Sequence, residues 1–169
     1  IRITSLLEYE QLFSYAQSEI AISVTIEDQT INGSLSRTIS ADLDRTRQSR
    51  YKLYYSLQMY FANGGGPCYV VSVGSYAEGT PSDANISNDS LRDGLDEIAK
   101  IDEPTLLLFP DAVALNEGQY HALMNDALNQ CFSLQDRFTI MDVQHVTGTP
   151  NEINASVDGF RNAAALGSN

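Results

Sequence analysis

Apolar residues recur along this chain with two different periods, and the two kinds of segment alternate. Spacings of three and four residues indicate amphipathic helices, and these begin near Leu6, Leu53, Leu91 and Tyr120. Short apolar and β-branched runs indicate strands, at residues 68–73, 105–109 and 138–143. Strands that alternate with helices predict an α/β fold, in which helices flank a parallel or mixed sheet to form three layers.

The predicted core consists of strand residues that pack against the apolar faces of the helices. These residues are Val70, Val71, Val73, Leu106, Leu107, Leu108, Ile140 and Met141. The 169 residues have the length of one domain, and a hydrophobic content of 43% is enough to form a core. We therefore expect residues 1–169 to form a single α/β domain.

Two helices have clear N-terminal signals. Ser5 and Glu8 have the spacing of a capping box, which predicts an N-terminal helix whose apolar face reaches Ala16. Thr149 and Glu152 have the same spacing, and a proline occupies the first helical position between them. The second signal predicts the last helix of the chain.

Strict alternation of apolar and polar residues precedes the first long helical segment. Residues 21–28 and 34–41 alternate on either side of an Asn32-Gly33 pair, the strongest short-range signal for a β-hairpin. We expect this hairpin, residues 21–41, to be half-buried on one face and to form an edge or a protrusion. The polar loop 42–50 follows, and a solvated loop is favoured over one that docks on a neighbour's acidic surface. Its arginines are Arg45, Arg47 and Arg50.

Three consecutive glycines, at positions 64–66, follow a predicted helix and precede a predicted strand. Phosphate-binding loops run in the opposite order, so that the positive N-terminal end of a helix faces the anion. Here Asn63 and Gly64 are placed where a helix ends, and its C-terminal end repels phosphate. The glycines therefore predict a tight turn into the strand that begins at Cys68.

The amino-acid sequence of this turn resembles that of a known family. The segment YYSLQMYFANGGGPCYVVSVG, together with DEPTLLLFPDAV, ALNQCFSLQDRFTIMDV and ITSLLEYEQLF, is similar to the contractile tail sheath proteins of phages and of bacterial phage-tail-like injection systems. The helix–NGGG–P–C–strand order is the most specific part of this resemblance. No family pattern is found in residues 18–49.

This resemblance implies a structural protein without an active site, a cofactor or a metal. It implies that subunits form a helical or stacked-ring cylinder around an inner tube and contract to drive injection. The implied partners are other copies of the chain or sheath paralogues, the inner tube protein, and baseplate and terminator proteins. Assembly in the bacterial cytoplasm is implied, as is a final place in a virion or in an extracellular or cell-anchored injection particle.

We interpret both ends of the chain as truncated, with parts of a longer protein missing. The chain opens at Ile1 within a segment that leads directly into a helix, and it stops at residues 167–169 after a helix-ending signature. Under the resemblance, the missing parts are terminal arms, which sheath subunits exchange with their neighbours, and the remainder of the subunit.

Charge and hydropathy limit the partners of the chain. It has 22 acidic and 10 basic residues, a net charge of −12, which argues against direct binding to a nucleic acid backbone. No apolar run has the length of a membrane span, and the N-terminus lacks a signal-peptide pattern, so membrane insertion is not expected.

An enzyme domain that binds a small molecule or a nucleotide is the alternative function. Ligands of open parallel sheets bind beyond the carboxyl ends of the strands. Residues at these ends are Gly74, Ser75, Asp111, Asp142 and His145. Asp142 and His145 could orient one another for proton transfer, but Ser75 lacks the following glycine of a nucleophile elbow. A turn or cap role is favoured for Asp111, and a loop role for His145.

Metal and disulfide chemistry are not favoured. His121 and His145 are the only histidines, and neither has carboxylates or cysteines at ligand spacing. A segment that begins at Asp28 is similar to a calcium loop, but Ile39 stands where the bidentate glutamate is needed. Cys68 and Cys131 are expected to be reduced residues of the core.

Overall fold

A computed structural model describes residues 1–76, 86–144 and 149–163 of the chain. Helix makes up 44% of these residues and strand 19%, so the fold is broadly α/β. The helices are α1 (Leu6–Phe13), α2 (Leu53–Ala62), α3 (Asn88–Ile98), α4 (Glu117–Leu134) and α5 (Pro150–Ala163), with a 3-10 helix at Pro110–Ala114. The strands are β1 (Arg2–Ile3), β2 (Ile22–Ile31), β3 (Ser34–Leu43), β4 (Cys68–Tyr69), β5 (Leu106–Leu107) and β6 (Phe138–Thr139).

The strands form three separate pairs within the described residues. Strand β1 runs antiparallel to β4, β2 runs antiparallel to β3, and β5 runs parallel to β6. The strands expected at 68–73, 105–109 and 138–143 were therefore too long, because only two residues of each have strand pairing. Their positions were right, and so was the parallel pairing of two of them.

Residues 68–71 lie between two sets of helices. Cys68 and Val70 pack into a cluster with residues of α1 and α2. Tyr69 and Val71 pack on the opposite side, in a cluster with residues of α3 and α4. Successive side chains of an extended segment point to opposite faces, and so this short segment contacts both sets of helices.

The β5–β6 pair has helices on one face only. Leu107 is buried with Leu95, Ile98 and Ala127, while its neighbours Leu106 and Leu108 are exposed. The prediction that Leu106, Leu108 and Ile140 belong to the core was therefore wrong. Alternation within each strand turns these side chains away from α3 and α4, and no described element covers them.

The predicted hairpin is confirmed, but its predicted half-burial was wrong. Strands β2 and β3 pair over ten residues each, and the turn residues Asn32 and Gly33 have φ values of 54° and 82°. Two positive φ values define the type I′ turn for which Asn-Gly is preferred. Every residue of both strands is exposed, so the hairpin projects from the rest of the chain.

A carboxylate fixes the base of this hairpin. Glu19 accepts a hydrogen bond from the backbone N–H of Ala21 at 2.9 Å and another from that of Ser49 at 3.1 Å. These two residues flank the hairpin on either side, and both are buried. The bond from Ala21 is the main reason that the pKa of Glu19 lies below its ordinary value. The carboxylate therefore joins the two chain segments that enter and leave the hairpin.

Both predicted helix starts have capping bonds, although at α1 the glutamate binds the residue before the cap and not the cap residue itself. The Ser5 hydroxyl accepts from the Glu8 N–H at 3.2 Å, and the Glu8 carboxylate accepts from the Thr4 N–H at 2.6 Å. At α5, the Glu152 carboxylate accepts from the Thr149 N–H at 2.5 Å. Helix α1 ends at Phe13, so the expected continuation of its apolar face to Ala16 was wrong.

The triple-glycine turn has the predicted geometry of a helix end. Helix α2 ends at Ala62, and Gly64 has a φ of 83°. A Cβ on Gly65 would lie 2.4 Å from the Tyr60 ring, whereas one on Gly66 would meet nothing within 4 Å. The first two glycines are therefore required by conformation and by close approach, and the third is not.

Replacing Gly64 by alanine should lower the free energy of unfolding by about 1 kcal/mol, because a Cβ is strained at this positive φ. Gly66→Ala is the matched control, and we expect it to be neutral or slightly stabilising. Urea-induced unfolding followed by circular dichroism measures both changes. Equal losses in the two variants would contradict this reading of the turn.

Candidate functional site

Among the described residues of the predicted strand-end site, Asp111 is held by two specific hydrogen bonds. It follows β5 and lies in the first turn of the 3-10 helix. Its Oδ1 accepts hydrogen bonds from the backbone N–H groups of Lys52 and Leu53, the latter at 2.9 Å. Lys52 precedes α2 and supplies no side-chain cap of its own. Asp111 therefore caps α2 from a distant part of the chain.

Burial raises the pKa of the Asp111 carboxyl, and the two N–H groups oppose this shift without cancelling it. A buried carboxyl with a raised pKa is a candidate acid or base. Here Oδ1 already accepts two hydrogen bonds from the N-terminal end of α2. The preference for a cap role agrees with these contacts, although the helix that is capped lies 58 residues earlier in the sequence.

Tyrosine rings occupy the space beside Asp111. The rings of Tyr51 and Tyr76 meet edge to face with centroids 4.8 Å apart. The hydroxyls of Tyr76 and Tyr9 share a hydrogen bond, and burial raises the pKa of both groups. These rings are packed against one another, as aromatic side chains in a core commonly are.

The other described residues of the predicted strand-end site lie at the surface. Gly74 and Ser75 are exposed in an irregular segment. Asp142 is exposed, and its backbone carbonyl accepts a hydrogen bond from the Tyr120 hydroxyl at 2.5 Å. His145 lies outside the described residues. The expected Asp142–His145 pair is therefore not tested here.

Metal ligands do not cluster in the part of the chain that is described. No group of three or more histidine, cysteine or acidic side chains is placed to hold an ion there. His121 instead packs on the Phe160 ring, with centroids 5.6 Å apart. Cys68 and Cys131 are partly buried and are not joined to one another, and burial raises the pKa of each thiol.

A polar groove lies between α3 and α4. Asp89, Asp93 and Asp96 line it from α3, and Asp126 lines it from α4. Arg92 forms an ion pair with Asp126 at 2.5 Å. Because the two side chains are partly exposed, this pair adds little to stability. The groove makes this side of the molecule acidic.

The hairpin carries an apolar face that no described element covers. Three cross-strand pairs line it, namely Ile22 with Leu43, Val24 with Ala41, and Ile26 with Ile39. We call these six residues the apolar hairpin face. Its large side chains are 43% to 63% exposed. The opposite face is polar for most of its length, as in the facing pairs Thr25 with Ser40 and Glu27 with Thr38.

An ion pair ends the apolar hairpin face on the side of the turn. Arg37 lies directly opposite Asp28 and donates two hydrogen bonds to its carboxylate, both at 2.7 Å. The bond to Arg37 also lowers the pKa of Asp28. The three apolar pairs therefore occupy the half of the hairpin nearest the body, and Leu35 lies beyond the ion pair on the same face.

A second apolar face lies on the body, on the side of β5–β6 away from the helices. Leu106, Leu108, Phe138 and Ile140 form it, and they are 47% to 65% exposed. We call these four residues the outer β5–β6 face. Parallel sheets are normally covered on both sides, so an exposed face of this kind is unusual.

Sequence reasoning did not predict that both faces would be exposed. The alternation in the hairpin was a usable signal, but it was taken to mean burial within the same chain. Residues 106–108 are three leucines in a row, and such a run does not distinguish the covered side of a strand from the bare one. Both faces are therefore apolar surfaces that the described residues leave uncovered.

The raised pKa of Asp111 predicts a pH dependence. Protonation favours the fold, so the contribution of this group is complete below the unfolded pKa, near 3.8, and is lost as the pH rises through the higher folded pKa. Asp111→Asn cannot ionise but keeps an oxygen acceptor for the end of α2. The wild type should therefore lose stability relative to this variant as the pH rises above the unfolded pKa of 3.8. Urea unfolding at pH values below and above this point measures the difference, and a constant difference would contradict the assignment.

Asp111→Ala separates the cap from the charge. This variant leaves the N–H groups of Lys52 and Leu53 without their acceptor, so we expect it to be about 0.5–2 kcal/mol less stable than Asp111→Asn at every pH in the series, since neither variant ionises at this position. The same unfolding measurements provide this value. A neutral result would show that the two hydrogen bonds contribute nothing.

Among the described residues, no helix has the length and apolar character needed to cross a membrane. A scan of the chain against protein-family models found no match, and a search of curated proteins found none. Function must therefore be inferred from the geometry of the described residues, above all from the two apolar faces.

Proposed function

We propose that this chain is a structural subunit of a contractile tail sheath. It assembles with other copies of itself, or with sheath paralogues, into a helical or stacked-ring cylinder around an inner tube. The observation that carries this proposal is the hairpin, whose apolar face is exposed along three successive residue pairs. The resemblance of residues 54–74 and 102–113 to the sheath family supports the same assignment.

The energetics of the hairpin favour a role in assembly. A two-stranded hairpin that packs against nothing is marginally stable in water, and burying a large aliphatic side chain contributes roughly 1.5–3 kcal/mol. The apolar hairpin face holds five such side chains in addition to Ala41. A surface of this kind gains stability when a partner covers it, which is the usual meaning of an exposed apolar patch.

The strand-end region supports a structural role in a second way. The carboxylate of Asp111 caps α2, and the ring of Tyr76 packs against Tyr51. Both groups therefore stabilise the subunit. A rigid subunit suits a contracting sheath, since movement can then be confined to the contacts between subunits.

Further parts of the proposal follow from the same resemblance. The inner tube protein and the baseplate and terminator proteins are the proposed partners besides other sheath subunits. Assembly in the bacterial cytoplasm, followed by a place in a virion or an injection particle, is the proposed localisation. The proposed architecture of the assembled subunit has three layers, in which helices flank a sheet. The outer β5–β6 face is covered in the cylinder.

Electron microscopy of the purified chain tests this function, with a matched pair of variants. Ile26→Asp places a charge on the apolar hairpin face, and Thr25→Asp places the same charge on the polar face one residue away. We expect cylinders or stacked rings from the wild type and from Thr25→Asp, and separate subunits from Ile26→Asp, because burying an unpaired carboxylate is costly. Wild-type particles that remain separate subunits under all assembly conditions would contradict the proposal.

A further inference from the structure

The sequence contains two Asn-Gly pairs, Asn32-Gly33 and Asn63-Gly64. Such a pair is prone to deamidation, because glycine has no side chain to hinder attack by its own backbone nitrogen. Both asparagines are exposed, and both glycines have a positive φ. Exposure therefore does not distinguish the two pairs, but their hydrogen bonds do. We infer that Asn32 is a site of spontaneous deamidation in the folded protein and that the fold protects Asn63.

Deamidation of an Asn-Gly pair consumes only water. The glycine nitrogen loses its proton and attacks Cγ of the asparagine, and the new N–Cγ bond closes a succinimide ring. The bond from Cγ to Nδ2 breaks, and Nδ2 leaves as ammonia with the proton that the glycine nitrogen lost. Water then opens the ring at either carbonyl to give aspartate or isoaspartate. The reaction therefore needs a free glycine N–H and an asparagine that can rotate about its Cα–C bond.

The Asn32-Gly33 pair lies at the tip of the hairpin, where few contacts hold it. Neither the Asn32 side chain nor the Gly33 N–H has a hydrogen bond to a described residue. A Cβ placed on Gly33 would meet nothing within 4 Å, so the turn is surrounded by open space. Every residue of the two adjoining strands is exposed. Opening the tip therefore separates exposed strand pairs and uncovers no buried side chain.

The Asn63-Gly64 pair is held at the C-terminal end of α2 through both of its reacting nitrogens. The leaving nitrogen, Asn63 Nδ2, donates a hydrogen bond to the Met59 carbonyl at 2.7 Å. The attacking nitrogen, that of Gly64, donates one to the Phe61 carbonyl at 3.1 Å. Ring closure at this pair requires both bonds to break.

Opening of the turn after α2 also disturbs packing. The Gly65 N–H donates to the Tyr60 carbonyl at 2.9 Å, and Gly65 lies against the Tyr60 ring. The chain then leads directly to Cys68 and Val70, which pack with residues of α1 and α2. Local opening is rare where it disrupts buried contacts and frequent where it does not. This packing therefore adds to the protection of Asn63.

Conversion of Asn32 changes both the charge and the backbone of the tip. Either product adds a negative charge to the turn. Isoaspartate also adds a methylene group to the main chain, so the turn no longer has the two-residue length that type I′ geometry requires. We therefore expect the strand pairs nearest the turn, Ile31 with Ser34 and Thr30 with Leu35, to loosen in aged protein.

Incubation of the folded chain in mildly alkaline buffer, followed by peptide mapping with mass spectrometry, measures the rate at each asparagine. Fragmentation assigns the gain in mass to one residue and separates aspartate from isoaspartate. One hydrogen bond lowers the population of an open form by about fivefold, so two bonds should make Asn63 react at least about tenfold more slowly than Asn32. The same incubation in urea that unfolds the chain should make the two rates similar.

Asn32→Ser and Asn63→Ser form a matched pair of variants, because serine has no carbonyl carbon to be attacked. Ion-exchange chromatography of aged, folded protein separates the more acidic products. We expect the main acidic product of the wild type to be absent from Asn32→Ser and to persist in Asn63→Ser. Thermal unfolding followed by circular dichroism checks that both variants fold.

Equal rates at the two asparagines in the folded protein would overturn the inference, as would a faster rate at Asn63. A rate difference that persists in urea would also overturn it, because the neighbouring sequence and not the fold would then set the order. The inference does not rest on the proposed function. Deamidation at Asn32 without cylinders in electron micrographs would support this site and contradict the sheath assignment, and cylinders with an intact Asn32 amide would do the reverse.

Discussion

The fold depends on the alternation of side chains along residues 68–71. Cys68 and Val70 belong to the cluster with α1 and α2, while Tyr69 and Val71 belong to the cluster with α3 and α4. One extended segment therefore joins two apolar clusters whose other residues lie mainly on helices. The glycine turn before it allows α2 to run directly into this segment, since Gly64 takes a φ that other residues avoid. A shift of one residue in the register of this segment would turn each of its side chains from one cluster to the other.

Local signals were enough to predict the elements that depend on their own residues. Ser5 caps α1 at the predicted position, and Asn32-Gly33 forms the predicted turn. What could not be predicted depends on residues distant in sequence. A run of three leucines at 106–108 does not reveal that helices cover only one side of it. The cap that Asp111 supplies to α2 also spans two elements, and no local pattern relates a carboxylate to a helix that begins 58 residues earlier.

For the candidate site too, local features were predicted from the sequence and contacts between distant residues were not. The alternating residues of the hairpin were recognised, but alternation indicates only that one face is apolar, and it does not say whether the same chain or another covers it. Asp111 was correctly favoured as a cap, and its raised pKa reflects burial beside packed tyrosines. A raised pKa alone is therefore a poor guide to catalysis in this fold. The buried carboxyl of Asp111 already accepts hydrogen bonds from the N–H groups of Lys52 and Leu53.

The Glu19 carboxylate has a consequence for how the hairpin meets other molecules. By accepting from Ala21 on one side of the hairpin and from Ser49 on the other, it holds both chain segments at the root of a long projecting arm. An arm attached through a single flexible segment would sweep a wide cone and lose that freedom on docking. An arm held at both of its ends keeps one orientation relative to the body. The entropy of orientation is therefore lost when the subunit folds and not when the arm binds a partner. A displacement at the tip is then transmitted to the body through this carboxylate and through the hydrogen bond that the Ser49 hydroxyl donates to Gln17.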